Sequence, residues 1–387
     1  MIFNNTGKKL KCNSFSFNGK KLEVADSYCY LGIDITPSGS YNHSQKVLRE
    51  KAQKAMFPLF SVISQFNISP SRSLELFNLY IKPIALYNSE NWSTLTEHKI
   101  NAINTGKSRL IDYAVESEPD TVVKKFVKFL LGVGKTTSTV AVLGECGQIP
   151  FFIYGLLNVL KFWYRIRALP ENMLVNKAYQ SQLEENVQSD WLNTVFFLLE
   201  YLGIENRIDE LDACNFIKVC KEKLWQKFML EWKYKLKENA KLKLYDQIKN
   251  IFEREKYLDD IKNFKMRKSI TKLRCSNHKL EIEVGRHKGT TSERRFCKFC
   301  PNELETESHF LSKCRTYESL RKKIFCKQLI ETTFEHDILA CKIKSLTLKL
   351  GKFLLKATTI RDQVIDAMNE HDHMVNLLLE RGYIIWD

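Results

Sequence analysis

The sequence has no hydrophobic run long enough to cross a membrane. Its longest apolar stretch, residues 149–164, is interrupted by Asn158 and Lys161, whereas a membrane span needs about 20 apolar residues. The N-terminus also lacks the apolar core of a secretory signal. Without such a signal, an odd count of eleven cysteines favours free thiols in a reducing compartment over a disulfide framework. We therefore expect a nuclear or cytoplasmic protein that is neither secreted nor membrane-embedded.

Acidic residues are too few to balance the basic ones. The chain has 60 Lys and Arg but only 45 Asp and Glu, which gives a net charge of +15. Such an excess favours a polyanionic partner, either nucleic acid or an acidic membrane surface, and the lack of a span makes the membrane the weaker choice. A hydrophobic fraction of 44% excludes global disorder, and 387 residues are enough for two or three domains.

Two motifs resemble catalytic sites, but each lacks a required part. Residues 132–137 read Gly-Val-Gly-Lys-Thr-Thr, yet Phe129 stands where a phosphate-binding loop has its first glycine. Asp259 and Asp260 follow Tyr257 as in the Tyr-x-Asp-Asp strand of polymerases. Their flanking residues have helical spacing, and no second acidic strand is evident to complete a two-metal site. We therefore predict that the chain has no catalytic residue of its own.

The first 40 residues have the pattern of β structure. Residues 15–19 end in Asn-Gly after two phenylalanines, a strong hairpin signal. Residues 30–35 alternate apolar and small or polar side chains, which predicts one further strand. The turn-forming segment 37–40, Pro-Ser-Gly-Ser, would end it.

Beyond residue 44 the apolar spacing becomes three or four residues, which is the period of a helix. Pro58 is expected to kink or break the first helix, and Ser69-Pro70 is a typical start for a second one. A third helix is expected within residues 216–245. Its apolar stripe has a spacing of four and consists of Leu224, Phe228, Trp232 and Leu236.

The most specific motif is a run of four metal-ligand residues near the C-terminus. Cys297, Cys300, His309 and Cys314 lie within eighteen positions. A Cys-x2-Cys pair can turn two thiolates onto one ion, and a His and a third Cys complete a tetrahedron. We expect a structural zinc, because four protein ligands leave no position for a reactive water. The alternative is a set of buried thiols beside a surface histidine.

A strongly basic segment leads into this motif. Residues 262–298 contain twelve Lys and Arg but only three Glu, so the segment is expected to attract phosphates. The predicted contacts are Arg274, Arg286, Arg294, Arg295 and Lys298, with Phe299 stacking on bases. A solvated charged surface with core aromatics is the alternative.

These patterns predict a mostly α chain with a small N-terminal β hairpin or sheet, a helical body and a small C-terminal zinc knuckle. We divide it into five segments. They are a β segment (1–40), a first helical group (41–115), a helical linker region (116–260), the basic region with the knuckle (261–325) and C-terminal helices (326–387).

Several short segments occur in an order that is typical of one family. They are residues 1–3, 30–32, 87–92, 131–147, 274–286, and the Cys-Cys-His-Cys run followed by Tyr317 and Arg321. In this order they resemble the C-terminal half of LINE-type, non-LTR retrotransposon reverse transcriptases. The matching parts of that family are the end of the palm, the primer grip, the thumb and the terminal zinc knuckle. Two positions depart from the family: Asn88 replaces the usual glycine, and Cys146 a more usual leucine.

The resemblance implies a nucleic-acid-binding fragment that lacks the catalytic palm. Its partners would be template RNA and target DNA, with Lys46, Arg49 and Lys54 of the thumb-like region touching the backbone. Three alternatives remain open: a protein-interaction module acting with a polymerase core in trans, a non-functional remnant, and an active polymerase that uses Asp259 and Asp260.

Overall fold

A computed structural model describes residues 15–23, 25–185, 189–325 and 338–380 of the chain, the last ten by backbone alone. Residues 1–3, one of the segments that resemble the retrotransposon family, lie outside this description.

The N-terminal β structure consists of two short antiparallel hairpins. Its strands are β1 (Ser16–Phe17) paired with β2 (Lys20–Lys21), and β3 (Tyr28–Tyr30) paired with β4 (Ile33–Ile35). The predicted Asn18-Gly19 turn is confirmed. The single strand predicted over residues 30–35 is wrong, because Leu31 and Gly32 both have positive φ, at 49° and 80°. Two such residues form the turn that suits a two-residue hairpin, so the alternation continues across a reversal of the chain.

The rest of the described chain is mainly helical, so the predicted mostly α fold with a small N-terminal hairpin is confirmed. The first nine helices are α1 (Asn42–Gln65), α2 (Pro70–Tyr80), α3 (Lys82–Ala85), α4 (Ser89–Trp92), α5 (Glu97–Asn104), α6 (Leu110–Glu116), α7 (Glu118–Leu131), α8 (Thr139–Cys146) and α9 (Phe151–Arg167). The others are α10 (Leu174–Glu184), α11 (Asp190–Leu202), α12 (Ala213–Glu238), α13 (Lys243–Ile248), α14 (Tyr257–Asp260), α15 (Phe264–Arg274), α16 (Glu281–His287), α17 (Glu318–Phe325) and α18 (Lys344–Glu380). No single described helix is long and apolar enough to cross a membrane, although α8 and α9 together, as a bent pair, reach that length and composition.

The helices expected from the apolar spacing are present. Helix α1 runs through Pro58 as one element instead of ending there. Helix α2 begins at Pro70 with Ser69 as its N-cap, as predicted. The stripe expected in the third helix lies on α12, and all four of its side chains are buried. That helix ends at Glu238, earlier than expected.

The described residues form two compact units. The first contains the residues up to 130 and Gln148–Lys235. The second contains Leu131–Gly147 and the residues from 236 onward. The five segments drawn from the sequence follow composition and resemblance, and their boundaries stay predictions.

Helix α9 lies at the centre of the first unit, where α4, α6, α10 and α11 pack on it. The buried Asp120 carboxylate accepts hydrogen bonds from the backbone N–H groups of Phe151 and Phe152, at 2.7 and 2.9 Å. These groups belong to the first turn of α9 and have no partner within the helix. Phe77 stacks on Phe126 with ring centroids 4.0 Å apart, so aromatic packing and a buried cap hold this core together.

In the second unit, α15 packs along α18, which also contacts α14 and α17. The face of α18 that meets them has buried apolar residues at helical spacing, among them Leu350, Phe353, Leu354 and Ala357. This long helix is the scaffold on which the rest of the unit is assembled.

One glycine of the second unit lies where no side chain fits. Gly147 ends α8 with a φ of +59°, and a Cβ there would lie 2.5 Å from the backbone nitrogen of Arg254. Gly203 has the same φ of +59°, but no atom lies within 4 Å of the corresponding position. We expect Gly203→Ala to lower the free energy of unfolding by about 1–2 kcal/mol, the cost of left-handed backbone. Gly147→Ala should cost about 1–3 kcal/mol more, because backbone must also move.

Denaturant titration of both variants checks this expectation. Equal losses of unfolding free energy in the two variants would show that the backbone of residues 253–254, next to Gly147, can move without an energetic cost.

Candidate metal centre

The first two candidate ligands lie on a tight hairpin-like loop. The Glu305 N–H donates to the Arg295 carbonyl at 2.9 Å, and the Cys297 N–H donates to the Glu303 carbonyl at 2.7 Å. These bonds fold the intervening segment back on itself, which places Cys297 and Cys300 at its tip. The short Cys-x2-Cys spacing is therefore realised as a turn that presents two sulfurs to one point.

The other two ligands come from the following π-helical turn, His309–Lys313, and the residue after it. The Cys314 N–H donates to the His309 carbonyl at 2.8 Å, which closes the turn. Arg321 of α17 donates to the Cys314 carbonyl. The backbone N–H and the carbonyl of Cys314 are thus both hydrogen-bonded, which holds its side chain beside that of His309.

The four side chains converge. One ligand atom from each of Cys297, Cys300, His309 and Cys314 can be chosen so that all lie within 4.8 Å of one another, and all four residues are buried. The Cys314 sulfur lies 4.0 Å from that of Cys297 and 3.7 Å from that of Cys300. These distances are far longer than a disulfide bond. They match the edge of about 3.8 Å expected for a tetrahedron of thiolates at 2.3 Å from a central ion.

Both ring nitrogens of His309 are buried and lack a hydrogen-bond partner. The nearest carboxylate oxygen, from the exposed side chain of Glu303, is 4.0 Å from Nδ1. Leaving a buried polar group unpaired costs free energy that a metal–nitrogen bond would offset. The sulfur–sulfur contact raises the pKa of the Cys297 thiol and lowers that of Cys314, so Cys314 is the member of the pair that forms the thiolate first, and thiolates are the form that metals bind. The four residues could hold a metal ion.

The metal centre is joined to α18 by a buried ion pair. The guanidinium of Arg361 donates to both carboxylate oxygens of Glu305, at 2.9 and 2.7 Å. Phe310 and Tyr317 pack on Phe353 of the same helix, with centroids 5.9 and 6.4 Å away. Bidentate charge pairing and aromatic packing fix the centre on the rest of its unit.

The predicted nucleic-acid contacts differ in their accessibility. Four of them are exposed: Lys46, Lys54, Arg294 and Lys298. Four are half-buried: Arg49, Arg286, Arg295 and Phe299. These eight assignments stay predictions.

The half-buried cations already have partners. Arg49 pairs with Glu118 at 2.7 Å, and Arg286 pairs with Glu283 at 2.8 Å. Arg295 donates to the carbonyls of Thr290 and Ile282, and thereby fixes the segment that leads into the loop. These partners include a carboxylate 69 residues away from Arg49 and the backbone carbonyls around Arg295, neither of which a count of charges in the sequence reveals.

The predicted contact of Arg274 with nucleic acid is wrong in this structure. Its side chain is 0% exposed and pairs with Glu145 at 2.8 Å and Glu255 at 3.1 Å. A buried and fully paired guanidinium cannot reach a phosphate. A run of basic residues does not distinguish this arginine from its exposed neighbours, because α15 turns one side of the run into the core.

The same contacts reveal a buried polar network that sequence reasoning missed. Glu145 accepts hydrogen bonds from Arg274 and from the hydroxyl of Tyr257. Lys249 pairs with Glu255 at 2.6 Å on the other side of the arginine. Arg274 lies 129 residues after Glu145, so no local pattern could have connected them.

The two motifs that resemble catalytic sites, residues 132–137 and Asp259-Asp260, do not lie in the secondary structure that those sites require. Residues 132–137 connect α7 to α8, whereas a phosphate-binding loop follows a strand. Asp259 and Asp260 lie on the short helix α14 and pair with Arg254 at 3.0 Å and Lys344 at 3.2 Å. Neither carboxylate lies on the strand hairpin that a polymerase site requires.

Two segments of the retrotransposon resemblance lie side by side. The hydroxyl of Tyr87 donates to the Leu31 carbonyl at 2.8 Å, within the turn formed by residues 30–32. Trp92, which ends the second segment, is buried and donates to the Tyr87 carbonyl at 2.8 Å. Comparison with protein-family models, with curated proteins and with solved structures gave no match to this chain.

Proposed function

We propose that this chain binds nucleic acid through a zinc-centred module, residues 294–314, that presents basic and aromatic side chains to the backbone and bases. The observation that carries the proposal is the convergence of Cys297, Cys300, His309 and Cys314 in one buried cluster. Exposed cations lie on the same loop.

The donor set favours zinc. Three thiolates and one imidazole are soft and borderline ligands, and their separations fit a tetrahedron, which together are typical of structural zinc. With all four positions taken by protein, no water could be activated. The ion would stabilise the loop, which otherwise has few apolar side chains to bury.

The surface around the ion suits a polyanion. Arg294 and Lys298 are exposed on either side of Cys297, and the nearest carboxylate oxygen to the Lys298 ammonium, from Glu281, is 3.8 Å away. The ring of Phe296 is 43% exposed and is available to stack on a base. Contacts to phosphates predict weak sequence preference and steep salt dependence.

We further propose that the chain acts as part of a non-LTR retrotransposon reverse transcriptase, downstream of its catalytic palm. The segments quoted from the sequence support this proposal. In it, the first unit grips the template–primer duplex, the metal module engages RNA and DNA, and nucleotide transfer takes place elsewhere.

Substitution of the two exposed cations tests the role of the module. We expect Arg294→Gln with Lys298→Gln to weaken binding and to reduce the slope of log K against log salt. The reduction should be about 1.4 for a single strand and 1.8 for a duplex, because each lost phosphate contact removes about 0.7 or 0.9. Filter binding over a range of salt concentrations measures both quantities.

The matched control removes two exposed lysines outside the predicted contacts, Lys107→Gln with Lys237→Gln. An equal change of slope in the two double variants would mean that binding follows net charge alone and that the module has no special role.

A second candidate function is docking of a protein partner, such as a polymerase core supplied in trans. Tyr28, Tyr30, Leu31 and Tyr87 are all exposed apolar side chains, and the Tyr87 hydroxyl bond joins the last two into one surface. Such patches typically mark interaction sites. Complex formation that survives high salt, and that Tyr30→Ser weakens, would favour this function.

A further inference from the structure

The second unit contains a pocket that differs in character from the metal centre. Its volume is about 330 Å³, within the size range of small-ligand sites. One wall is formed by α15 through Lys265, Lys268 and Lys272, and the other by α18 through Leu354, Leu355 and Thr358. Cations therefore face an apolar surface across the opening.

The three lysines form a row. They are three and four positions apart on α15, so they lie on one face of the helix, with successive lysines about 5–6 Å apart. Among the residues that the structure describes, none forms an ion pair with them. The other charges at the rim are already matched: Lys279 pairs with Asp362 at 3.3 Å, and Arg361 with Glu305.

This row is electrostatically unfavourable without an anion. Burial, and repulsion by Lys268 and Lys279, lower the pKa of Lys272, and attraction by Asp362 offsets only part of this. Like charges held close together raise the free energy of the protein, and a bound phosphate would relieve that cost. The row thus has charge complementarity to a chain of phosphates.

The floor of the pocket is apolar. Phe310 is buried beneath it, and Leu273 and Leu280 complete it. A flat, weakly polar ring suits such a floor, and a base can reach it only when it is not stacked within a duplex. Apolar floor and cationic wall together match one nucleotide of a single strand.

We infer that this pocket holds one unpaired base of a single-stranded nucleic acid, with the adjoining phosphates on Lys265, Lys268 and Lys272. The inference rests on the proposed nucleic-acid binding and adds a second contact region to the metal module. The two regions are connected, because Phe310 directly follows the candidate ligand His309 and lines the pocket.

The charge contribution is tested with Lys265→Gln, Lys268→Gln and Lys272→Gln combined. We expect the salt slope for a single strand to fall by about 2, that is 0.7 for each of three phosphate contacts. The matched control is Lys342→Gln, Lys352→Gln and Lys356→Gln, which removes three exposed lysines of the same unit outside the pocket. Equal slopes in the two triple variants would overturn the inference.

The base contribution is tested with oligonucleotides of equal length that carry bases or only abasic sugars. We expect the wild-type chain to bind the base-containing strand about tenfold more tightly. Thr358→Phe fills the pocket and leaves every lysine in place, so it should narrow that difference at least threefold. Thermal unfolding of this variant verifies that it is folded. The inference would be contradicted if the folded variant kept the full affinity difference between the base-containing and the abasic strand. It would also be contradicted if a free mononucleotide bound as tightly as the strand.

Failure of this inference and of the proposed function can be told apart. If the wild-type chain binds and neither the lysine substitutions nor Thr358→Phe change that binding, the pocket inference is wrong and the proposed role of the metal module stands. If the wild-type chain binds no single strand at low salt, both the pocket inference and the proposed nucleic-acid binding are wrong.

Discussion

Replacement of Cys297 and Cys300 by serine is expected to abolish metal binding and to unfold the metal module. We expect the loop around these residues to depend on an ion, because three buried sulfurs meet at its centre with a buried imidazole that has no hydrogen-bond partner. Structural zinc sites contribute on the order of 10–16 kcal/mol of apparent binding free energy in isolated peptides. We expect one equivalent of zinc per wild-type chain and none in the double variant, measured by elemental analysis after exhaustive dialysis.

Proteolysis provides the second readout of the same experiment. Cleavage within residues 294–314 should appear in the double variant and in chelator-treated wild type. Cys29→Ser with Cys214→Ser, which removes two exposed cysteines outside the cluster, is the control and should keep the metal and the protection. Full zinc content in the Cys297 and Cys300 variant would show that the ligand assignment is wrong.

Breaking the buried ion pair between Arg274 and Glu145 should have the largest effect on stability among the polar substitutions proposed. Arg274→Met leaves the buried Glu145 carboxylate without its cation, whereas Glu255 keeps its pair with Lys249. Removal of one partner from a buried pair typically costs 3–5 kcal/mol, because the remaining charge is left uncompensated. We expect a loss of about this size in the free energy of unfolding, measured by urea titration.

A double variant tests whether the loss of stability comes from the uncompensated charge or from the lost packing of the arginine side chain. Glu145→Gln together with Arg274→Met should be less destabilising than the sum of the two single changes, because the charge that Arg274→Met leaves uncompensated is removed with its partner. The control is Glu75→Gln, which breaks an exposed pair with Arg72 whose side chains are 73% and 59% accessible. It should change stability by no more than about 1 kcal/mol. An equally small effect of Arg274→Met would mean that the network is dispensable.

The features that the sequence predicted well are those set by local spacing. The Asn18-Gly19 turn and the start of α2 at Ser69-Pro70 depend on backbone preferences of two adjacent residues. The cluster of four candidate metal ligands could be predicted because all four lie within a short stretch of the chain. The stripe on α12 was visible because packing repeats with the period of the helix.

The features that the sequence did not predict depend on contacts between distant segments. The burial of Arg274 is decided by Glu145, far away in the chain, so a basic run gave no sign of it. The pocket of lysines arises because α18 covers one side of α15, which no single segment encodes. Leu31-Gly32 was read as part of a strand because Leu is rare at positive φ, and Tyr87 contributes a hydrogen bond that supports the turn.

The most direct test is the affinity of the purified chain for a labelled single-stranded oligonucleotide, measured at rising salt in three states. These are the metal-loaded chain, the chain after chelation, and the chain after zinc is returned. We predict steep salt dependence in the first state, a weaker affinity and shallower slope in the second, and recovery in the third. Undiminished binding by the metal-free chain, or no binding by the loaded chain at low salt, would contradict a zinc-organised nucleic-acid surface.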